Sequence, residues 1–210
     1  MSSPVFIWDL DGTLLDSYAI IVSAVHQVLA EYDIHVDKQI IFQEVTATSV
    51  SDYIQQIAPQ YGYDPTVLFR QCYTIQTAMD DQIQLNPHAA EVLQELHTQG
   101  AKHFVYTHKG DTAQAVLNRL GIGHYFTEVV TSAYGFTRKP APDGITYLVE
   151  KYGLEQDLCY YVGDRMIDMV CANNAQIRSI LYLYSPSSHD ANHLATYCVN
   201  DLAQISDIVQ

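Results

Sequence analysis

The chain has 210 residues, 48% hydrophobic and 16% charged, which suits one large domain or a domain carrying a smaller insert. Its formal net charge is -14 and it has no Lys/Arg cluster, so a nucleic-acid backbone would be repelled and an anionic substrate would need a local cation. No stretch approaches the roughly 20 apolar residues of a membrane span, no basic region precedes an N-terminal apolar run, and the four cysteines are scattered without a CxxC. The expectation is a cytoplasmic protein with reduced thiols and neither nucleic-acid nor membrane partners.

Val5-Phe6-Ile7-Trp8 is an unbroken β-branched and aromatic run, the pattern of a strand buried on both faces. It stops at Asp9-Leu10-Asp11-Gly12-Thr13-Leu14-Leu15-Asp16-Ser17. On an extended chain Asp9 and Asp11 point the same way. Like charges that close repel, so a cation is required there. Ser17 is placed to cap a helix reaching about Tyr32, with Ile21, Val22, Val25, Val28 and Leu29 at helical spacing. Helices are predicted around 37–44 and 50–58, and a fourth opens at Asp64-Pro65, with Asp as N-cap and Pro at the first helical position. No buried strand appears between Ser17 and about Ile83. One crossover helix suffices for a βαβ unit, so four helices argue for an inserted domain.

Beyond Asn86-Pro87, helices and strands alternate. A helix over 88–99 precedes a strand over 101–106. Asp111 is placed to cap a helix through Leu120, and a short strand follows over 127–131. A helix opened by Pro142-Asp143 leads to a strand over 158–162, a short helix over 165–173 and a strand over 177–183. A short strand over 197–199 and a helix over 202–209 close the chain. The alternation predicts an α/β fold, a doubly wound, Rossmann-like parallel sheet. Its core spans 1–15 and 84–210, and its all-helical insert spans 16–83.

In a parallel sheet the carboxyl ends of the strands lie along one edge, where ligands bind. Asp9 and Asp11 fall there after the first strand, Thr107 and His108 after the second, Lys139 in the loop after the third, and Asp164 after the fourth, with Asp168 one turn on. Each alone has an ordinary reading as a turn residue, a solvated lysine or a helix start. Together they would require several coincidences.

This set resembles the haloacid dehalogenase-like superfamily, in the form carried by its phosphatases and phosphomutases. Asp9 to Ser17 matches the first motif, Thr107 the second, Lys139 in Arg138-Lys139-Pro140 the third, and Gly163-Asp164-Arg165-Met166-Ile167-Asp168 the fourth. The insert resembles the helical cap of the branch that includes phosphoglycolate phosphatase and β-phosphoglucomutase. Two positions depart from the family pattern: His108 stands where Asn is frequent, and Arg165 where Ser or Thr is frequent.

The resemblance implies a Mg²⁺-dependent phosphatase acting on a small phosphate monoester. Asp9 would be the nucleophile, Asp11 the acid and base, and Thr107 and Lys139 the phosphate holders. Asp9, the Asp11 carbonyl and Asp164 would hold the metal, with Asp168 beside it. A carboxylate nearing a phosphate dianion at about 4 Å is opposed by roughly 4 kcal/mol per unit-charge pair at an effective dielectric near 20, which a divalent ion offsets. His108 reads either as a substrate contact or as a turn residue beside the site. A phosphomutase and a non-catalytic phosphate-binding module stay open as alternatives. The chain is expected to act as a monomer or homodimer.

Overall fold

Val5–Trp8 forms strand β1, and all four residues are buried, as the run of apolar side chains dictates. The computed structural model describes residues 3–184 and 186–208. The chain divides into two compact units, Met1–Asp16 with Gln84–Gln210, and Ser17–Ile83.

The Ser17–Ile83 unit is helical: α1 (Tyr18–Glu31), α2 (Lys38–Ala47), α3 (Val50–Ile57) and α4 (Pro65–Ala78). Three of these helices start at side-chain caps, that of Asp64 as its sequence predicts. The Asp37 carboxylate accepts from the Gln39 N–H at 2.7 Å, the Ser49 hydroxyl from Asp52 at 3.1 Å, and Asp64 from Thr66 at 2.8 Å. Ser17 behaves differently from its expected role. It holds a helical φ/ψ of -116°/-13°, makes no side-chain cap, and its buried Oγ has no partner among the described residues. A side chain caps from the extended region, where its oxygen can reach the N2 or N3 amide.

The other unit carries a sheet. Short strand β2 (Leu15–Asp16) pairs antiparallel with β3 (Gln84–Leu85), an element too brief to show in the sequence pattern. The Asn86 side chain donates to Thr13 O at 2.8 Å, fastening the points where the chain leaves and re-enters this unit. Then come α5 (Ala89–Thr98), β4 (Lys102–Tyr106), α6 (Ala113–Arg119), β5 (Phe126–Val130), α7 (Asp143–Tyr152), β6 (Cys159–Gly163), α8 (Met166–Asn174), β7 (Arg178–Tyr182), β8 (Tyr197–Val199) and α9 (Ile205–Ile208). Asp111 is no cap: α6 starts from Thr112, whose backbone is helical, and the Ala113 amide bonds to Gly110 O instead.

The six long strands are all parallel, in the order β5-β4-β1-β6-β7-β8. Counting these six in chain order gives 3-2-1-4-5-6, the doubly wound arrangement expected. The order reverses at β1 and β6, so the switch-point crevice opens beyond Trp8 and Gly163. One sheet face buries Val5, Ile7, Phe104, Tyr106 and Tyr161 against Ile145 and Leu148 of α7 and Cys171 and Ala172 of α8. The other is aromatic: the Phe6 ring stacks on Trp8, His103 and Tyr160 at 5.7, 5.8 and 5.3 Å. Among the described residues no helix is long and apolar enough to cross a membrane.

His103 is 1% exposed, and its Nδ1 accepts from Trp8 Nε1–H at 3.1 Å. Burial, aided by nearby His97, lowers its pKa to about 4. A base with a depressed native pKa stays neutral when folded but charges when unfolded, so stability falls as pH drops from 6.5 towards 4. His103→Gln, which keeps a side-chain acceptor but cannot titrate, is expected to flatten urea-unfolding stability over that interval by about 3 kcal/mol relative to wild type. Parallel pH profiles for the two proteins would refute the assignment.

Candidate active site

The turn after β1 is set by Gly12. The Asp9 amide extends the ladder by bonding to Val162 O at 2.8 Å, and the Thr13 and Leu15 amides both return to Leu10 O. This tight reversal needs φ +82° at Gly12, which side-chain-bearing residues adopt at a cost. It leaves Asp9 1% exposed at the end of the central strand.

Three other stretches meet Asp9. Lys139 Nζ lies 2.9 Å from Asp9 Oδ1 and 2.7 Å from Asp168 Oδ1, with all three side chains buried. The third ammonium hydrogen goes to the Tyr161 hydroxyl at 3.0 Å, and that hydroxyl donates to Tyr106 O at 2.8 Å. An ammonium has three donors, and these partners take all of them. Asp168 also accepts from the Arg165 backbone N–H at 3.2 Å on its other oxygen, so one carboxylate both starts α8 and anchors the lysine. A Cβ at Gly163 would collide with the Asp168 side chain, so β6 must end in glycine for this packing. Arg165 Nη2 stands 3.5 Å from Asp9 Oδ2.

The charges answer one another. Burial alone would raise the Asp9 pKa, but Lys139 and Arg165 outweigh it and hold the carboxyl below its ordinary value. Burial likewise opposes the Lys139 charge, yet Asp168 and Asp9 keep the ammonium above its ordinary pKa. Burial, with Asp168 and Asp9 beside it, pushes the Tyr161 hydroxyl well up, so it stays protonated.

Asp164 joins the cluster. Its Oδ1 accepts from the Thr13 hydroxyl at 3.1 Å and its carbonyl from Ser188 at 2.6 Å. Carboxylate oxygens of Asp9, Asp164 and Asp168 lie within 4.8 Å of one another, all buried. Three carboxylates against Lys139 and Arg165 leave an excess of one negative charge before Asp11 is counted. Asp11 Oδ1 is buried without a hydrogen-bond partner among the described residues. Oxygen-only donors with a residual negative charge fit a hard divalent cation such as Mg²⁺.

The remaining expected site residues sit at the rim of this network. Thr107 is buried, and its Oγ1 accepts from the Lys109 N–H at 3.1 Å. Among the described residues no hydrogen bond joins it to Asp9, Lys139 or Asp168. His108 Nε2 accepts from the Lys139 backbone N–H at 3.0 Å, and Nδ1 lies 3.1 Å from Arg138 Nη2. Burial and the cations Lys139, Arg138 and Arg165 drive its pKa far down, so the ring is neutral. It braces the loop that carries Lys139. Thr13 lies within the first motif, where spacing does not reveal its partner Asp164, and Tyr161 lies outside every motif. The only hint for Tyr161 was a phenol in a strand otherwise buried, where its hydroxyl must find a partner.

The model of the haloacid dehalogenase-like hydrolase family matches residues 6–182. This chain belongs to that family. It is 27% identical to a phosphoglycolate phosphatase of Vibrio vulnificus, over 96% of this chain and 94% of that one. It is 24% identical to the pyrophosphatase PpaX of Oceanobacillus iheyensis, over 100% and 98%. Among solved structures, a predicted phosphoglycolate phosphatase from Haemophilus somnus superposes with a TM-score of 0.85 at 22% identity, covering 99% of this chain and 98% of that one. A hydrolase from Streptococcus pneumoniae is 32% identical with a TM-score of 0.61, covering 87% and 94%.

Tyr161→Phe tests the network. It removes a buried acceptor from Lys139 and a donor from Tyr106 O. A loss of about 1–3 kcal/mol for each partner left unpaired is expected in urea unfolding. A loss under about 0.5 kcal/mol would show that the hydroxyl does not hold the lysine.

Proposed function

We propose that this protein is a Mg²⁺-dependent phosphatase that hydrolyses a small phosphate monoester through a phosphorylated Asp9. The observation that carries the reading is the buried group of Asp9, Asp164 and Asp168, with carboxylate oxygens within 4.8 Å and Lys139 bridging two of its members. A structural ion pair needs one acid per base. The surplus acids, beside Asp11 Oδ1 with no partner among the described residues, suit a site completed by a metal and a phosphoryl group.

In this reading an Asp9 oxygen attacks phosphorus, the P–O ester bond breaks, and its electron pair leaves with the alcohol oxygen. Asp11 gives that oxygen a proton. Asp11 then takes a proton from the water that attacks phosphorus, the Asp9–phosphorus bond breaks, and inorganic phosphate leaves. Lys139 orients Asp9 and lowers its basicity, while Asp168 and Tyr161 hold the lysine still. Thr107 and neighbouring amides receive phosphoryl oxygens, and His108 fixes the Lys139 backbone. Asp9, Asp164 and the Asp11 carbonyl would hold Mg²⁺ with Asp168 beside it, and the bound ion offsets the repulsion between carboxylate and phosphate. The names of the relatives, a phosphoglycolate phosphatase and a pyrophosphatase, support a small phosphorylated substrate.

Phosphate release from a panel of phosphate monoesters, with and without Mg²⁺, tests the proposal. Wild type is expected to turn over only with the metal, and Asp9→Asn to lose at least about 10³-fold in kcat while keeping its circular dichroism. Asp11→Asn is expected to slow turnover about 10²-fold or more while still binding Mg²⁺ in calorimetry. Undiminished release by Asp9→Asn would remove Asp9 from its role.

A further inference from the structure

We propose that Arg165 is a phosphate-binding residue, resting on the nucleophile in the free enzyme and passing to the phosphoryl oxygens when substrate arrives. The inference rests on the phosphatase reading and adds a specific ligand for the transferred group.

Each oxygen of Asp9 faces a different cation, and the two grips differ. Lys139 holds Oδ1 at 2.9 Å, a short charge-assisted contact. Arg165 Nη2 stands 3.5 Å from Oδ2, at the outer limit of hydrogen bonding, and its Nε is 3.9 Å from Asp168 Oδ2. The lysine cannot meet a phosphoryl group without breaking a short bond, because Asp9, Asp168 and Tyr161 take its three hydrogens. Of the two cation contacts to Asp9, the long one from Arg165 is the weaker and the more readily exchanged.

The position of Arg165 suits this exchange. Its backbone is pinned at the start of α8, at φ -125° and ψ 159°, by the bond from its N–H to Asp168. Its side chain is 10% exposed, so its interactions with anions are weakly screened by solvent. As an Asp9 oxygen bonds to phosphorus it becomes ester-like and loses charge, whereas the phosphoryl oxygens keep theirs. A guanidinium follows that charge, and its planar fork matches two phosphoryl oxygens in a way an ammonium does not. Burial beside three carboxylates would otherwise disfavour a phosphate dianion, and Arg165, which faces the Asp9 oxygen that Lys139 does not hold, lowers that barrier.

The test is isothermal titration of orthophosphate into the Mg²⁺-loaded full chain, alongside metal binding and ester hydrolysis, for wild type, Arg165→Lys and Arg165→Met. Arg165→Met is expected to raise the Kd for orthophosphate about tenfold or more, to raise KM similarly, and to bind Mg²⁺ no more weakly than wild type. Arg165→Lys, keeping the charge without the fork, is expected to fall between the two. Orthophosphate binding by Arg165→Met as tight as wild type would overturn the proposal, as would equal weakening of phosphate and Mg²⁺ binding, which marks a collapsed site. Wild type that hydrolyses no ester and binds no orthophosphate would instead sink the phosphatase reading, and this inference with it.

Discussion

The site depends on one buried ammonium. Lys139 is enclosed where water cannot solvate it, and its charge survives because Asp9 and Asp168 lie within 3 Å and Tyr161 accepts the remaining hydrogen. Bringing these charges out of water is costly. The assembly persists because removing any one member leaves another buried and uncompensated. Such a group is a poor source of net stability but a strict constraint on geometry: the ends of β1 and β6, the first turn of α8 and the loop before α7 must arrive together.

The loop before α7 is therefore secured from several sides. His108 takes the Lys139 N–H, the Tyr106 hydroxyl donates to Thr137 O at 3.3 Å, and the Thr137 N–H donates to Asp143 at 3.2 Å. These contacts bring α7, β4 and the turn after β4 to bear on one lysine. A long flexible side chain on a loose loop would lose more entropy on each encounter with its partners. Bracing the backbone limits the freedom left to the four-carbon stem.

Sheet order explains why distant acids can share this centre. β1 lies between β4 and β6, so Asp9 sits at the point where the winding reverses. Parallel strands deliver their carboxyl ends to the same edge, and Gly163 lets Asp168 pack against the end of β6. The antiparallel pair of β2 and β3 lets the chain leave this unit after Asp16 and return at Gln84 without disturbing the central strands.

Sequence alone determined the elements whose cause is local. The apolar run of β1, the Asp37 and Asp64 caps and the alternation of helices and strands are set by neighbours a few residues apart. The motif residues carried the family for the same reason, since their spacing within each turn is a local matter. Local signals misassigned Ser17, whose backbone is helical where a cap requires extended geometry, and Asp111, which lies one residue before the point where α6 starts. Only tertiary structure decided the pairings: the three partners of Lys139, the Thr13 bond to Asp164, the bracing role of His108 and the approach of Arg165 to Asp9. Those choices join residues up to 156 positions apart, and depend on burial and on which oxygen meets which cation. No local pattern encodes such an angle or distance, because strand order and packing create it.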